Sequence, residues 1–305
     1  MTSAAAGADV ERMRDIALDR RRELFAEAYA RERRRVWRTW LVGGAVLAVL
    51  VLAAADIGEV DLLHLWDRLP RFRSYFGRMV PDIALESLWP DLQRWFRRGW
   101  VWLAALGETI LIAFYATTFG CVAAYFVSFL AAENLSPHPA IRFAARRTLE
   151  FARTIPELVY AVIFVFSFGI GPLAGVLALF LHSFGAVGKL FADVAENCDL
   201  DQVRGVRATG ANWLQTMVFG ATPQLGPDFL SYGLYRLEIN VRAASVLGFV
   251  GAGGIGQELY NAIKTFRLTD ASAISLMLIA AVIAVDMLSG WLRGRVIGTA
   301  RLSEA

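Results

Sequence analysis

Arg236, Glu238, Asn240 and Arg242 fall together inside the apolar run 229–250, the sharpest concentration of polar chemistry in an otherwise greasy stretch. An ionisable side chain in a membrane span costs roughly 2.5 to 3.5 kcal/mol on insertion scales, so such groups face a protein neighbour or a water-filled path. If the helix starts in the cytoplasm near Pro223 to Pro227, the four residues lie in its middle, where a translocation route would pass. A structural reading stands beside this one. Glu238 precedes Arg242 by one helical turn, the favourable order for an ion pair that merely neutralises itself and orders the helix. The residues leave both readings open.

Other spacings that mimic chemistry fail on context. Gly251-Ala252-Gly253-Gly254-Ile255-Gly256 matches the dinucleotide fingerprint, with Asp270 near the distance of a ribose-binding carboxylate. The fingerprint requires a strand before it inside a soluble βαβ unit, whereas here it ends an apolar run, so the glycines are expected to allow close backbone packing or a break in a helix. Gly185-Ala186-Val187-Gly188-Lys189-Leu190 lacks the spacing and the Ser or Thr of a phosphate-binding loop, so this chain is not expected to hydrolyse ATP. Cys121 and Cys198 lie in unlike surroundings, which argues against a disulfide. His64, His138 and His182 are scattered and imply no metal site; His182 reads as a hydrogen-bonded interior group.

The elements that carry these residues follow from composition. The chain is 56% apolar and 19% charged, against about half and about a quarter in soluble domains. Charges collect at the start, in loops and at the end, leaving apolar runs near the roughly 20 residues needed to cross a bilayer. The expected fold is an all-α integral membrane protein with about six transmembrane helices, at 41–55 (with Trp37 and Trp40 as interfacial anchors), 109–132, 155–171, 173–191, 229–250 and 271–292. Gly169 to Pro172 is a turn signal that makes the third and fourth spans an antiparallel hairpin.

Residues 1–40 mix Arg12, Arg14, Arg20 and Arg33 with Asp9, Glu11, Asp15 and Glu27, unlike a signal peptide. They read as a charged cytoplasmic helix that fixes topology, with a membrane-surface or partner-binding helix, carrying Val10, Met13, Ile16, Leu24 and Ala28 as a stripe, as the other reading. Residues 41–107 comprise the first span and an extracytoplasmic loop, 108–297 the main membrane domain, and 298–305 a cytoplasmic tail. Six spans place both termini on one face with the Arg142 to Arg153 loop and the polar insert 195–223, and the positive-inside rule makes that face cytoplasmic. Arg68, Arg71, Arg73, Arg78, Arg94, Arg97 and Arg98 run against the rule, which long loops obey weakly. The overall charge of +3 gives no sign of nucleic acid.

The insert holds Val203-Arg204-Gly205-Val206-Arg207-Ala208-Thr209-Gly210-Ala211, with Pro223 thirteen positions after Gly210. That spacing resembles the "EAA" coupling loop of ABC importer permeases. Arg204, Gly205 and Val206 stand where the loop has a glutamate and two alanines, and Gly220 and Thr222 where it has an isoleucine and a leucine. A narrower resemblance runs from about residue 109 to 297. Ile155-Pro156-Glu157-Leu158-Val159, Gly171-Pro172-Leu173-Ala174-Gly175, Gly188-Lys189-Leu190, Gly205 to Ala211, Glu238 to Arg242 and Gly248 to Gly256 are similar to the phosphonate importer permeases. In that branch Gly205 and Val206 are usual, while Arg204 replaces an expected glutamate.

The resemblance implies a type I ABC importer permease core in the bacterial inner membrane. It implies a second copy of the chain, cytoplasmic ATP-binding subunits that bind ATP in place of any cofactor here, and an extracytoplasmic solute-binding protein. It assigns Arg204, Gly205, Val206, Arg207, Ala208, Thr209, Gly210 and Pro223 to ATPase coupling, with Pro223 expected to stop the coupling segment before the fifth span. The expected cargo is phosphonate or a related phosphorus oxyanion. A permease for another small solute such as phosphate, a non-transporting scaffold and an intramembrane enzyme are the alternatives.

Overall fold

A computed structural model describes residues 2–58, 62–81 and 85–303, with side chains at 29–58, 66–81 and 86–295. The described residues are helical, without strands. The chain divides into two units, 1–74 and 75–305. In the first, α1 (Thr2–Ile57) is one continuous helix, so the charged lead-in and the first span are a single element. Its segment Tyr29–Ile57 is long and apolar enough to cross a membrane; the stripe expected at 10–28 lies outside the described side chains. The amphipathic α2 (Leu62–Met79) follows and tolerates Pro70 within it.

The second unit contains α3 (Leu88–Trp95), then α4 (Gly99–Ala131), which at 1.5 Å per residue is about 50 Å long. The expected start at 109 is therefore corrected: the helix begins ten residues earlier, inside the segment read as a loop. The cause is tertiary, since Trp102 and Leu106 are buried against Ile255, Ala262 and Ile274.

α5 (Pro139–Thr154) and α6 (Glu157–Phe168) correct the reading of 133–153 as a loop and 155–171 as a straight span. The two helices meet at 83°. The break falls before Pro156, because proline disfavours helical backbone in the residue it follows. α6 has 12 residues, about 18 Å, too few to cross a bilayer alone. α5 lies across α7 (Pro172–Ala195) with Leu149 fully buried. Gly185 permits the crossing: a Cβ there would stand 2.5 Å from the Arg153 backbone N. The turn expected at Gly169 to Pro172 is present, with Gly169 at φ +91°, and α6 and α7 share a core of Tyr160, Ala161, Ala178 and Leu179.

After α7 come α8 (Leu200–Ala208), α9 (Trp213–Thr216), a π-helical turn at Met217–Ala221 and α10 (Thr222–Leu247). α11 (Ile255–Lys264) and α12 (Leu268–Ser303) complete the unit. The segment 213–250 is bent by 43° against α11. Gly251-Ala252-Gly253-Gly254 makes that break, and the Gly254 to Gly256 backbone passes so close to Ser245 and Thr109 that a side chain at Gly254 or Gly256 has no room. The fingerprint-like glycines thus serve close packing. Lys189 lies within α7 and pairs with Asp193 at 2.7 Å, so the phosphate-loop mimic is helix. Among the described residues four helices are long and apolar enough to span, or six when each bent pair counts as one.

Candidate functional site

Two sets of residues can carry function, one at the α8 end and one midway along the helices. At the α8 end, Asp199 caps the helix by accepting a hydrogen bond from the Asp201 N–H at 2.9 Å. Val203 is buried, and Val206 packs against Gly220 of the π turn, whose missing side chain lets α8 approach. Gln224 clasps the pair of elements: its Nε2 donates to Asp199 O at 3.1 Å and Gly220 O at 2.9 Å, while its Oε1 accepts from Asp199 N at 2.8 Å. The start of α8 is thereby tied to the first turn of α10.

The outer face of α8 presents Arg204, Gly205, Arg207 and Ala208, all exposed. Arg204 pairs with Asp201 at 3.0 Å, yet both are largely exposed, so the pair adds at most about 1 kcal/mol and leaves the guanidinium accessible. Thr209 Oγ1 donates to Val206 O at 2.8 Å, and Gly210 then turns the chain at φ +87°. Pro223 lies in the first turn of α10, directly after the π-helical turn at Met217–Ala221.

Midway along the helices, the four polar residues of α10 separate by direction. Arg236 and Asn240 turn inward: Arg236 Nε donates to Ser183 Oγ at 2.9 Å, and Asn240 Nδ2 donates to Ser183 Oγ and Thr117 Oγ1, each at 2.8 Å. This network ties α10 to α7 and α4 with Asn240 fully buried. Glu238 and Arg242 turn elsewhere. Arg242 reaches Glu238 at 3.2 Å, and Arg293 of α12 approaches the other Glu238 oxygen at 3.6 Å. The expected pair exists, but Arg242 remains 60% exposed.

Three participants escaped the pattern of apolar runs. Ser183 and Thr117 are common in membrane helices and become informative only through their shared partner Asn240. Glu157 was visible only as part of a sequence resemblance. It lines a cavity of about 270 Å³ together with Leu158, Ile239, Arg242 and Val246. Behind it, His182 Nε2 lies 3.6 Å from the Glu157 carboxylate, while His182 Nδ1 shares a hydrogen bond with Ile155 O at 3.0 Å. His182 is the interior hydrogen-bonded group its setting predicts.

A second cavity, about 600 Å³, lies between α4 and α10 and is lined by Phe114, Tyr125, Phe126, Phe229 and Leu230. Its apolar walls suit hydrocarbon or another helix, whereas the smaller cavity exposes charge. Among the described residues no cluster of His, Cys, Asp and Glu is arranged to hold a metal ion.

The site thus sits in a domain of bent apolar helices with an exposed, clasped helix at one end. Residues 124–298 match the family described as "Binding-protein-dependent transport system inner membrane component", and the chain belongs to that family, the membrane-spanning permeases of ABC importers. It is thus a multi-pass inner-membrane protein of a class that works with an ATP-binding subunit and a substrate-binding protein. Within the family it is 37% identical over 257 residues to the phosphite transport system permease protein PtxC of Stutzerimonas stutzeri, covering 84% of this chain and 89% of that one. It is 35% identical over 257 residues to the phosphate-import permease protein PhnE of Mycolicibacterium smegmatis, covering 84% of this chain and 45% of that one. A crystal structure of the inward-facing MetNI methionine ABC transporter shares the fold, with TM-score 0.57 and 18% identity over 66% of this chain and 98% of its counterpart.

Proposed function

We propose that this permease carries phosphonate or a related phosphorus oxyanion across the inner membrane, with two copies of the chain enclosing the path. The carrying observation is Arg242, a 60% exposed guanidinium on the same turn of α10 as the buried mid-helix network. A charge so placed is too costly to leave in lipid, so that face meets water or a second copy. The names of the phosphite and phosphate relatives support the class of cargo.

In this reading, α8 docks into a cleft on a cytoplasmic ATP-binding subunit, which binds and hydrolyses the ATP. Closure of that subunit pulls α8, the Gln224 clasp passes the motion to α10, and the cavity beside Arg242 changes the side to which it opens. Arg236, Asn240 and Glu238 hold the geometry around it, with Arg242 meeting the anion. The solute-binding protein delivers cargo at the opposite end, and both termini lie in the cytoplasm. Catalysis and cofactors have no part in the role of this chain.

The test is reconstitution of the permease in proteoliposomes with its ATP-binding subunits and binding protein. The expected result is ATP-dependent uptake of phosphite or methylphosphonate, with hydrolysis raised by the loaded binding protein. Stimulated hydrolysis without uptake of any phosphorus oxyanion would remove the cargo assignment.

A further inference from the structure

Resting on the transport reading above, we propose that Glu157 is a specificity-determining residue of the path, a fixed negative charge that competes with the anionic cargo for Arg242. Glu157 is the first residue of α6, just past the 83° bend. Its depth follows from His182, which neighbours Ser183 near the midpoint of α7 and lies 3.6 Å from the carboxylate. The side chain is 34% exposed, so it is neither sealed in the core nor free at a surface. It supplies the acid in the lining of the cavity that it shares with Arg242.

Two features keep Glu157 in place. The backbone before it is held by Pro156 and by the His182 contact to Ile155 O at 3.0 Å, and the carboxylate lies within electrostatic reach of buried Arg236. Glu238 already engages Arg242 and Arg293. The cavity therefore has a cation with its charge only partly answered on one wall and a carboxylate on another. Away from bulk water an unopposed guanidinium holds an oxyanion strongly. A fixed carboxylate lowers that hold and disfavours ions of higher negative charge, so the cargo moves on.

A carboxylate at a helix start also favours the helix dipole, and that effect alone would make Glu157 structural. Glutamine and aspartate separate the roles. In the reconstituted complex, Glu157→Gln should assemble and retain stimulated ATP hydrolysis, while uptake of phosphite per ATP falls about tenfold and labelled anion stays longer on the complex. Glu157→Asp should keep most uptake, and adding Arg242→Gln to Glu157→Gln should restore part of it by removing the cation that then holds the anion longer.

Wild-type uptake and unchanged anion retention in Glu157→Gln overturn the proposal, as does a loss that only follows lost assembly. If Glu157→Gln fails to accumulate, Arg242→Gln alone decides: with the cavity's cation gone and Glu157 kept it should exclude the anion, and normal uptake overturns the assignment. A wild-type complex that transports no phosphorus oxyanion sinks the cargo reading instead.

Discussion

Gly210 has open space where a Cβ would lie, so its importance rests on backbone conformation: at φ +87° an L-residue with a side chain is strained. Alanine there should cost about 1 to 2 kcal/mol locally, enough to shift the end of α8, whereas asparagine tolerates this region better. We expect Gly210→Ala to weaken retention of the ATP-binding subunit in a pull-down by about tenfold, with Gly210→Asn nearer wild type. Equal retention by all three proteins would show that the turn does not set the docking geometry. Arg204 is a residue of the opposite kind. Its guanidinium projects outward beside Asp201, and nothing else in the structure accounts for an arginine here.

The crossing of α5 over α7 turns on two glycines that are chemically alike but differ in neighbours. At Gly185 an added Cβ meets the backbone of α5 at Arg153 N and Leu149 O, which cannot rotate aside. At Gly188 it meets the methyl end of Leu149, which can. Gly185→Ala should therefore destabilise the protein by about 1 to 3 kcal/mol and Gly188→Ala by less, read as the loss of monodisperse protein in detergent on heating. The reverse order would refute the crossing. The arginines of α5 belong to the same geometry: Arg146 donates from Nε to the Ala131 carbonyl that ends α4 at 2.9 Å and pairs with Glu196, and Arg142 pairs with Glu133 at 2.9 Å. Basic groups at a helix C-terminus are favoured by its dipole. In sequence these same charges read as a loop, because charge density signals water while helix ends at a membrane surface also demand it.

For the whole molecule, the proposed orientation puts α8 inside the cell and the α11 end outside. An impermeant maleimide should label Ala208→Cys only when the membrane is opened, and Lys264→Cys in intact spheroplasts. Labelling of both from one side would overturn the topology. The native thiols interfere little. Burial raises the Cys198 thiol above its ordinary value, so at neutral pH it holds less reactive thiolate and labelling there should quicken only as pH rises. Cys121 lines the apolar cavity between α4 and α10.

Composition and apolar run length by themselves determined that the chain lives in a membrane and roughly how many times it crosses, because crossing hydrocarbon is a demand on local sequence. The glycine at position 210 likewise marked a turn, which the structure has at φ +87°. Only tertiary structure decided that Arg236 and Asn240 point to Ser183 while Glu238 and Arg242 point away, that α6 begins deep between its neighbours, and that Glu157 faces the cavity of Arg242. Residues on one helix share a sequence pattern, but each direction around that helix is set by the helices packed against it. The close approaches at Gly185 and Gly256 are products of that packing.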